Sequence, residues 1–204
     1  MTLIATAVAL GALVVVGATM AYFTSSDTAT NVITTGKISV KVDEPKFSEI
    51  AESVVDETTK EITSELYNVM PNAKINKDPE FKLVDGSADA YIRVAVNTVV
   101  TKKDGSTVTP SLEDLEAELS SDKWIAKGGY YYYNEKIATT TEPVPLFKTQ
   151  KSGEDSYTIL IPENWGNDYQ DAKLNMGIKV EAVQADNFTP DFNSDTPWGN
   201  VKVE

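Results

Sequence analysis

The chain has 204 residues, a formal net charge of -13, and neither histidine nor cysteine. Without His there is no imidazole acid–base chemistry, no Ser-His-Asp triad and no H-E-x-x-H zinc site. Without Cys there are no disulfides, thiolate nucleophiles or thiolate metal sites. The acidity argues against nucleic acid, which needs a basic face, and against anionic membrane surfaces.

The chain opens on an apolar run from Leu3 to Met20, and no charged residue precedes Asp27. The run is about long enough to cross a bilayer core. It is rich in Ala, Gly and Val and ends in small residues, with no basic stop-transfer cluster, as an export signal with a cleavage site does. Cleavage is expected at Ala21, Tyr22 or Phe23, leaving residues 1–22 as a signal peptide and no membrane segment in the mature form. A retained anchor is the competing reading. Met1-Thr2-Leu3 lacks the usual basic residues, which points to a start upstream of Met1 or to a signal that works without them. An exported chain without Cys suits a bacterial or archaeal surface.

Residues 23–35 are set apart as an N-terminal segment, in which Phe23 to Val32 is small, polar and β-branched with one large apolar residue, Phe23, at its tip. The remainder, 36–204, reads as one β domain. Strict alternation predicts strands over Lys37–Val42, Ala90–Val100 and Leu174–Ala182, with Ile38, Val40, Ile92, Val94, Ile178 and Val180 facing a core. Weaker strands are predicted at Glu65–Val69, Glu80–Leu83, Trp124–Ala126, Tyr130–Tyr133 and Tyr157–Ile161. Turn signals such as Met70-Pro71-Asn72, Asp85-Gly86, Asp104-Gly105 and Gly128-Gly129 separate them. The expected fold is an all-β antiparallel sandwich of jelly-roll type with one or two short surface helices. One helix is predicted after Thr109, with Pro110 at its first position and Leu112, Leu115 and Leu119 on one side. A second is predicted from Ser48 to Thr59, inside a charged insertion near 44–64. Phe188, Phe192 and Trp198 are expected to tuck in a C-terminal arm.

No catalytic, cofactor-binding or metal site is expected. Tyr130–Tyr133 reads as core packing rather than a glycan platform. Arg93, the only Arg, reads as half of an ion pair. Asp186, Asp191 and Asp195 lack EF-hand spacing and read as a solvated arm. An isopeptide cross-link would need Lys37 or Lys41 to meet Asn97 or Asn175 in an apolar core; solvated strand lysines are the default.

Three patterns carry a resemblance. The first is Gly17-Ala18-Thr19-Met20-Ala21-Tyr22-Phe23-Thr24 with Asp27-Thr28-Ala29-Thr30-Asn31 and a strand led by Gly36. The second is Val69-Met70-Pro71-Asn72, Asp78-Pro79-Glu80-Phe81-Lys82-Leu83 and Gly86-Ser87-Ala88-Asp89-Ala90-Tyr91-Ile92-Arg93-Val94. The third is Gly129-Tyr130-Tyr131-Tyr132-Tyr133 with Leu146-Phe147. Together they resemble the TasA/camelysin family of exported Gram-positive matrix proteins, most of all its clostridial BsaA-like branch. The chain departs from the family at Pro71-Asn72, where Pro-Gly is usual, and in its long insertion.

The resemblance implies a secreted or cell-surface fibre subunit, processed by a SipW-type signal peptidase and without enzymatic activity. It implies homopolymeric assembly head to tail, with Phe23, Thr24, Asp27, Thr28, Ala29, Thr30, Asn31 and Val32 lent as a strand to the next subunit. Strand addition satisfies an exposed sheet edge. On the residues alone, pairing within its own domain is the default for this strand. The alternative function is a monomeric surface module, with glycan as a candidate ligand.

Overall fold

The computed structural model describes residues 24–28, 38–44, 52–55, 62–66, 70–186 and 188–201. The apolar run and the expected cleavage point at Ala21, Tyr22 and Phe23 lie outside them, as do Ala29, Thr30, Asn31 and Val32 of the expected donor segment.

The fold is all-β and antiparallel, built around two twelve-residue strands, β7 (Ala90–Thr101) and β15 (Lys173–Gln184). They pair along their whole length, from Lys173 opposite Thr101 to Gln184 opposite Ala90. Alternation dictates this: Ala90, Ile92, Val94 and Val100 of β7, and Leu174, Met176, Ile178, Val180 and Ala182 of β15, are all buried in one core. Beyond β7 the sheet continues through β10 (Tyr130–Tyr133) to β9 (Trp124–Lys127), joined by Gly128-Gly129. Both glycines have positive φ, 56° and 80°, as a tight hairpin turn demands. β8 (Thr107–Val108) pairs with the far end of β7. Beyond β15 lie β4 (Ile62–Leu66) and then β3 (Glu52–Val55), and β1 (Thr24–Thr28) also pairs with β15.

A second sheet of β11 (Val144–Pro145), β6 (Glu80–Leu83) and β2 (Val40–Asp43) shares the core through Val40, Val42, Phe81, Leu83 and Val144. Two small pairs complete the fold: β12 (Gln150–Ser152) with β13 (Asp155–Tyr157), and β5 (Lys74–Ile75) with β14 (Ile159–Leu160). The strand expected over Tyr157–Ile161 is thus broken at Thr158, whose buried hydroxyl bonds both main-chain N and O of Lys77, each at 2.6 Å. Asn72 takes φ 60°, and Ala73 N donates to Met70 O at 3.1 Å, so Asn fills the positive-φ place in that turn.

Neither expected helix forms among the described residues. After Pro110 the chain makes a single turn. Ser111 and Asp114 close it through paired side-chain bonds: Ser111 N donates to Asp114 Oδ2 (2.7 Å) and Asp114 N to Ser111 Oγ (3.0 Å). Glu116 then turns left-handed, φ 49°, and Ala117 N closes on Leu112 O. The Leu115 carbonyl, which a helix would offer to Leu119, accepts from Leu160 N instead, and Leu119 bridges to Phe147. Strand partners therefore take over the bonds that would propagate the helix. Within Ser48–Thr59, Glu52–Val55 is strand β3, with Val55 opposite Ile62 of β4. β-branched Val54 and Val55 extend an existing sheet rather than coil alone. Of the strand expected at Glu65–Val69, Glu65 and Leu66 belong to β4, and 67–69 lie outside the described residues.

Lys77 is wholly buried, with its ammonium 2.6 and 2.8 Å from the two Glu44 oxygens. Burial holds its pKa below the ordinary 10.5, outweighing the attraction of Glu44 and Asp78. The unfolded chain therefore keeps this proton at pH values where the native chain has released it, so stability rises with pH across that window. We expect the wild-type urea midpoint, relative to that of Lys77→Met, to climb between neutrality and pH 10.5; a falling difference would contradict the assignment. Glu44→Gln should cost about 3 kcal/mol at neutral pH, much of it regained with Lys77→Met in addition.

Candidate functional site

Two constructions on the β7–β15 ladder bear on function: the seat of β1 and the cover of the outer face.

β7 takes the whole of one edge of β15. The other edge is divided. β4 pairs with Leu174–Met176, and β1 pairs with Lys179–Val183, from Thr24 opposite Val183 to Thr28 opposite Lys179. Thr24, Asp27 and Thr28 of the expected donor segment thus lie on their own domain, β1 running alongside β2 as well. The direction of each backbone bond follows from the ends of β7. Ala90 N donates to Ile137 O and Lys102 N to Ser106 O, so even-numbered residues face the β8–β10 side and odd-numbered ones face β15. The unbroken register then turns Val180 and Ala182 of β15 toward β1, in hydrogen-bonded pairs with Asp27 and Ser25. Ser26 with Glu181 and Thr28 with Lys179 are the non-hydrogen-bonded pairs.

The outer face carries Arg93. Its guanidinium lies 4.1 Å from the Tyr130 ring and 4.6 Å from the Trp198 ring, a cation held between aromatic faces. Nη2 is 2.6 Å from Glu181 Oε2, Nε donates to the same oxygen, and Nη1 donates to the Tyr132 hydroxyl at 3.2 Å. Burial opposes the charge, but these bonds to Tyr132 and Glu181 outweigh it and raise the Arg93 pKa. Lys179 Nζ reaches the other Glu181 oxygen at 2.7 Å. Arg93 is the ion-pair partner that the sequence suggested, and the partner is Glu181.

Tyr91, Phe188, Phe192 and Trp198 close over Tyr132 and Val183 in a second, smaller cluster. Lys127 Nζ donates to Ser194 O and tethers the C-terminal arm. The tyrosine run packs on both sides: Tyr133 and Tyr131 on the main core, and Tyr132 and Tyr130 on the arm's cluster. Tyr130 and Tyr131 are only half-buried, and both line an open groove of about 570 Å³ with Asn97, Thr98, Pro110 and Lys127. A second aromatic pair, Trp165 and Tyr169, lines an open groove of about 550 Å³ with Met70 and Asn167. The two rings stack on each other at 4.6 Å, Lys102 lies over the Tyr169 ring at 4.2 Å, and Trp165 is buried against the main core.

The acids of the arm do not converge. Asp191 Oδ1 accepts from Asn193 N, and among the described residues no group of three or more metal-ligating side chains occurs. For the isopeptide pairs, Lys37 lies outside the described residues, and Lys41 is on the second sheet, paired with Asp43 at 2.8 Å. Asn97 and Asn175 are on the large sheet, and Lys41 is exposed rather than set in an apolar core.

The divided edge of β15 was not visible in the sequence. The only signal was that alternation persisted over Leu174–Ala182, longer than the short strands available to flank it. Compared with known proteins, the chain matches no family model, no curated protein and no solved structure.

The arm's role is open to a direct check. Trp198→Ala should cost about 3 kcal/mol and expose an apolar outer face that binds a hydrophobic dye in the still-folded protein. Wild-type melting and no dye binding would show that the arm does not hold this face.

Proposed function

We propose that the chain is a structural subunit of an extracellular biofilm matrix fibre of a Gram-positive bacterium. A SipW-type signal peptidase removes the apolar run near Ala21–Phe23, and the freed segment, Phe23 to Val32, joins subunits head to tail by strand addition. The architecture behind this reading is a jelly roll. The protein carries no enzymatic activity and needs no cofactor.

The observation that carries this reading is the β1 seat. The segment that follows the export signal is a β-strand, and its place is a five-residue stretch of sheet edge that nothing else covers among the described residues. A segment at a chain end, with small polar side chains, is suited to pair with the same edge of a neighbour. Such a contact is head to tail and does not close, so it propagates as a filament. The charge of -13 keeps unassembled subunits apart. The sequence resemblance to TasA/camelysin proteins supports the same reading. A monomeric glycan-binding module is the competing class, and the groove lined by the half-buried Tyr130 and Tyr131 is where a sugar would lie.

Intact mass and electron microscopy of protein recovered from the cell surface test the proposal. We expect a chain starting near Tyr22 or Phe23 and fibres of uniform width. A stable monomer, or a mass that retains the apolar run, would overturn it. Proline scanning adds the register. Asp27→Pro removes an N–H that bonds to the edge, whereas Thr28→Pro removes one that points away. Fibre yield should therefore fall further for Asp27→Pro than for Thr28→Pro, with the monomer's melting temperature little changed in either.

A further inference from the structure

We infer that the groove beside β7 binds glycans of N-acetylhexosamine units, the acetamido group of one sugar pairing with a short open stretch of the strand's main chain. The inference goes beyond the fibre reading and does not depend on it, since a fibre subunit and a monomeric surface module would carry the site alike.

The open stretch lies between two partners that share one side of β7. β10 pairs with Arg93 and Val94, and β8 pairs with Val100 and Thr101. Among the described residues no strand pairs with 95–99 on this side. The main-chain N–H and C=O of Val96 and Thr98 point into this gap, because even-numbered residues of β7 face away from β15. The sequence explains the gap. Continuing the β8 register would bring Pro110 opposite Thr98, and Pro has no N–H to give. The Pro110 carbonyl accepts the Thr98 hydroxyl instead. Continuing the β10 register would bring Gly129 opposite Val96, but Gly129, at φ 80°, belongs to the hairpin turn from β9.

Three features of the gap select the ligand. The first is length. From Val96 to Thr98 is about 7 Å of strand, and Gly128-Gly129 and Pro110 close the lane at its two ends. A peptide strand cannot run through it, whereas a single amide fits. An acetamido group carries the one N–H and one C=O that such an edge pairs with, and its methyl is small. The second is the lining. A groove of about 570 Å³ is within the range of small-ligand sites. Leu112, Pro110 and the half-buried Tyr131 ring offer apolar surface to the C–H face of a sugar ring. Asn97 and Thr109, both exposed, offer amide and hydroxyl groups to its hydroxyls. The third is charge. Lys127 is the only charged residue that lines the groove, in a chain of net charge -13. Its ammonium donates to Ser194 O at 2.8 Å and keeps further N–H groups for a ligand. A lining with one cation and no carboxylate suits an uncharged acetylated sugar and repels the deacetylated, cationic form.

Chitotriose, cellotriose and the fully deacetylated chitosan trimer separate these features. They differ only at the second carbon of each unit, which bears an acetamido, a hydroxyl or an ammonium group. Titration calorimetry with the intact protein should show that chitotriose binds, that cellotriose binds about tenfold more weakly or not at all, and that the deacetylated trimer does not bind. Saturation-transfer NMR should find the acetyl methyl to be the most strongly saturated group of chitotriose. Equal affinity for chitotriose and cellotriose would overturn the acetamido pairing, and no binding of chitotriose at millimolar concentration would overturn the site.

Two variants at exposed positions locate the binding. Thr109→Trp fills the groove and should abolish chitotriose binding, with the melting temperature unchanged. Asn97→Ala removes one side-chain amide and should weaken binding about tenfold or less. Chitotriose binding at wild-type affinity in both variants would put the sugar elsewhere and overturn the inference.

Discussion

The rest of the molecule depends on the ladder between β7 and β15. Twelve consecutive residue pairs fix which side chains face inward, because a shift of one residue would send every core side chain of both strands to the other face. Ile92, Val94, Ile178 and Val180 then share one buried apolar core with Val40, Val42, Phe81 and Leu83 of the second sheet. The ladder also decides the edges. β7 spends one side on β15, so the opposite side of β15 must find partners elsewhere, and it finds them in two unrelated pieces of chain, β4 and β1. Buried backbone groups left unpaired are costly, so long strands collect such short partners.

The same ladder has an outer face that is not simply solvated. Arg93 and Glu181 are opposite each other in the register, an ion pair set directly across the central seam. The Tyr130 and Trp198 rings shield the guanidinium, leaving the side chain about 15% exposed, and it donates to Tyr132 and Glu181. A pair so enclosed is demanding of geometry, and Lys in place of Arg93 would offer neither the planar stack nor the forked donors. The C-terminal arm is what encloses it, through Trp198, Phe188 and Phe192. The sheet is thus covered on the inside by strands and on the outside by a polar, proline-containing arm.

Much of this was legible in the sequence. Alternation located β7 and β15 to within two residues at each end, because each has one fully buried face and period-two burial leaves a plain trace. Glu80–Leu83 and Tyr130–Tyr133 were placed at their observed bounds, and the aromatic arm was read from Phe188, Phe192 and Trp198. The helix after Pro110 was misread for an identifiable reason. Leu112, Leu115 and Leu119 have helical spacing, but Leu115 and Leu119 commit their backbones to Leu160 and Phe147, which are distant in sequence. Local pattern reports which side chains want burial; it does not report which strand will claim the carbonyls. Val54 and Val55 erred the same way, as a pattern too short to separate strand from helix, settled by β4. The edge of β15 was invisible for a deeper reason. An edge is defined by which partners are missing, and a single sequence contains no trace of a neighbour that stops short.

The division of that edge also separates its pairings by strength. Within the chain, β1 is tethered to the edge it pairs with, which gives it a high effective concentration there. β1 and Lys179–Val183 share five residue pairs at one margin of the sheet, whereas β7 and β15 share twelve over the core. Parting β1 from β15 therefore belongs to the low-stability end of the molecule, because it leaves the twelve-pair ladder and the core beneath it intact.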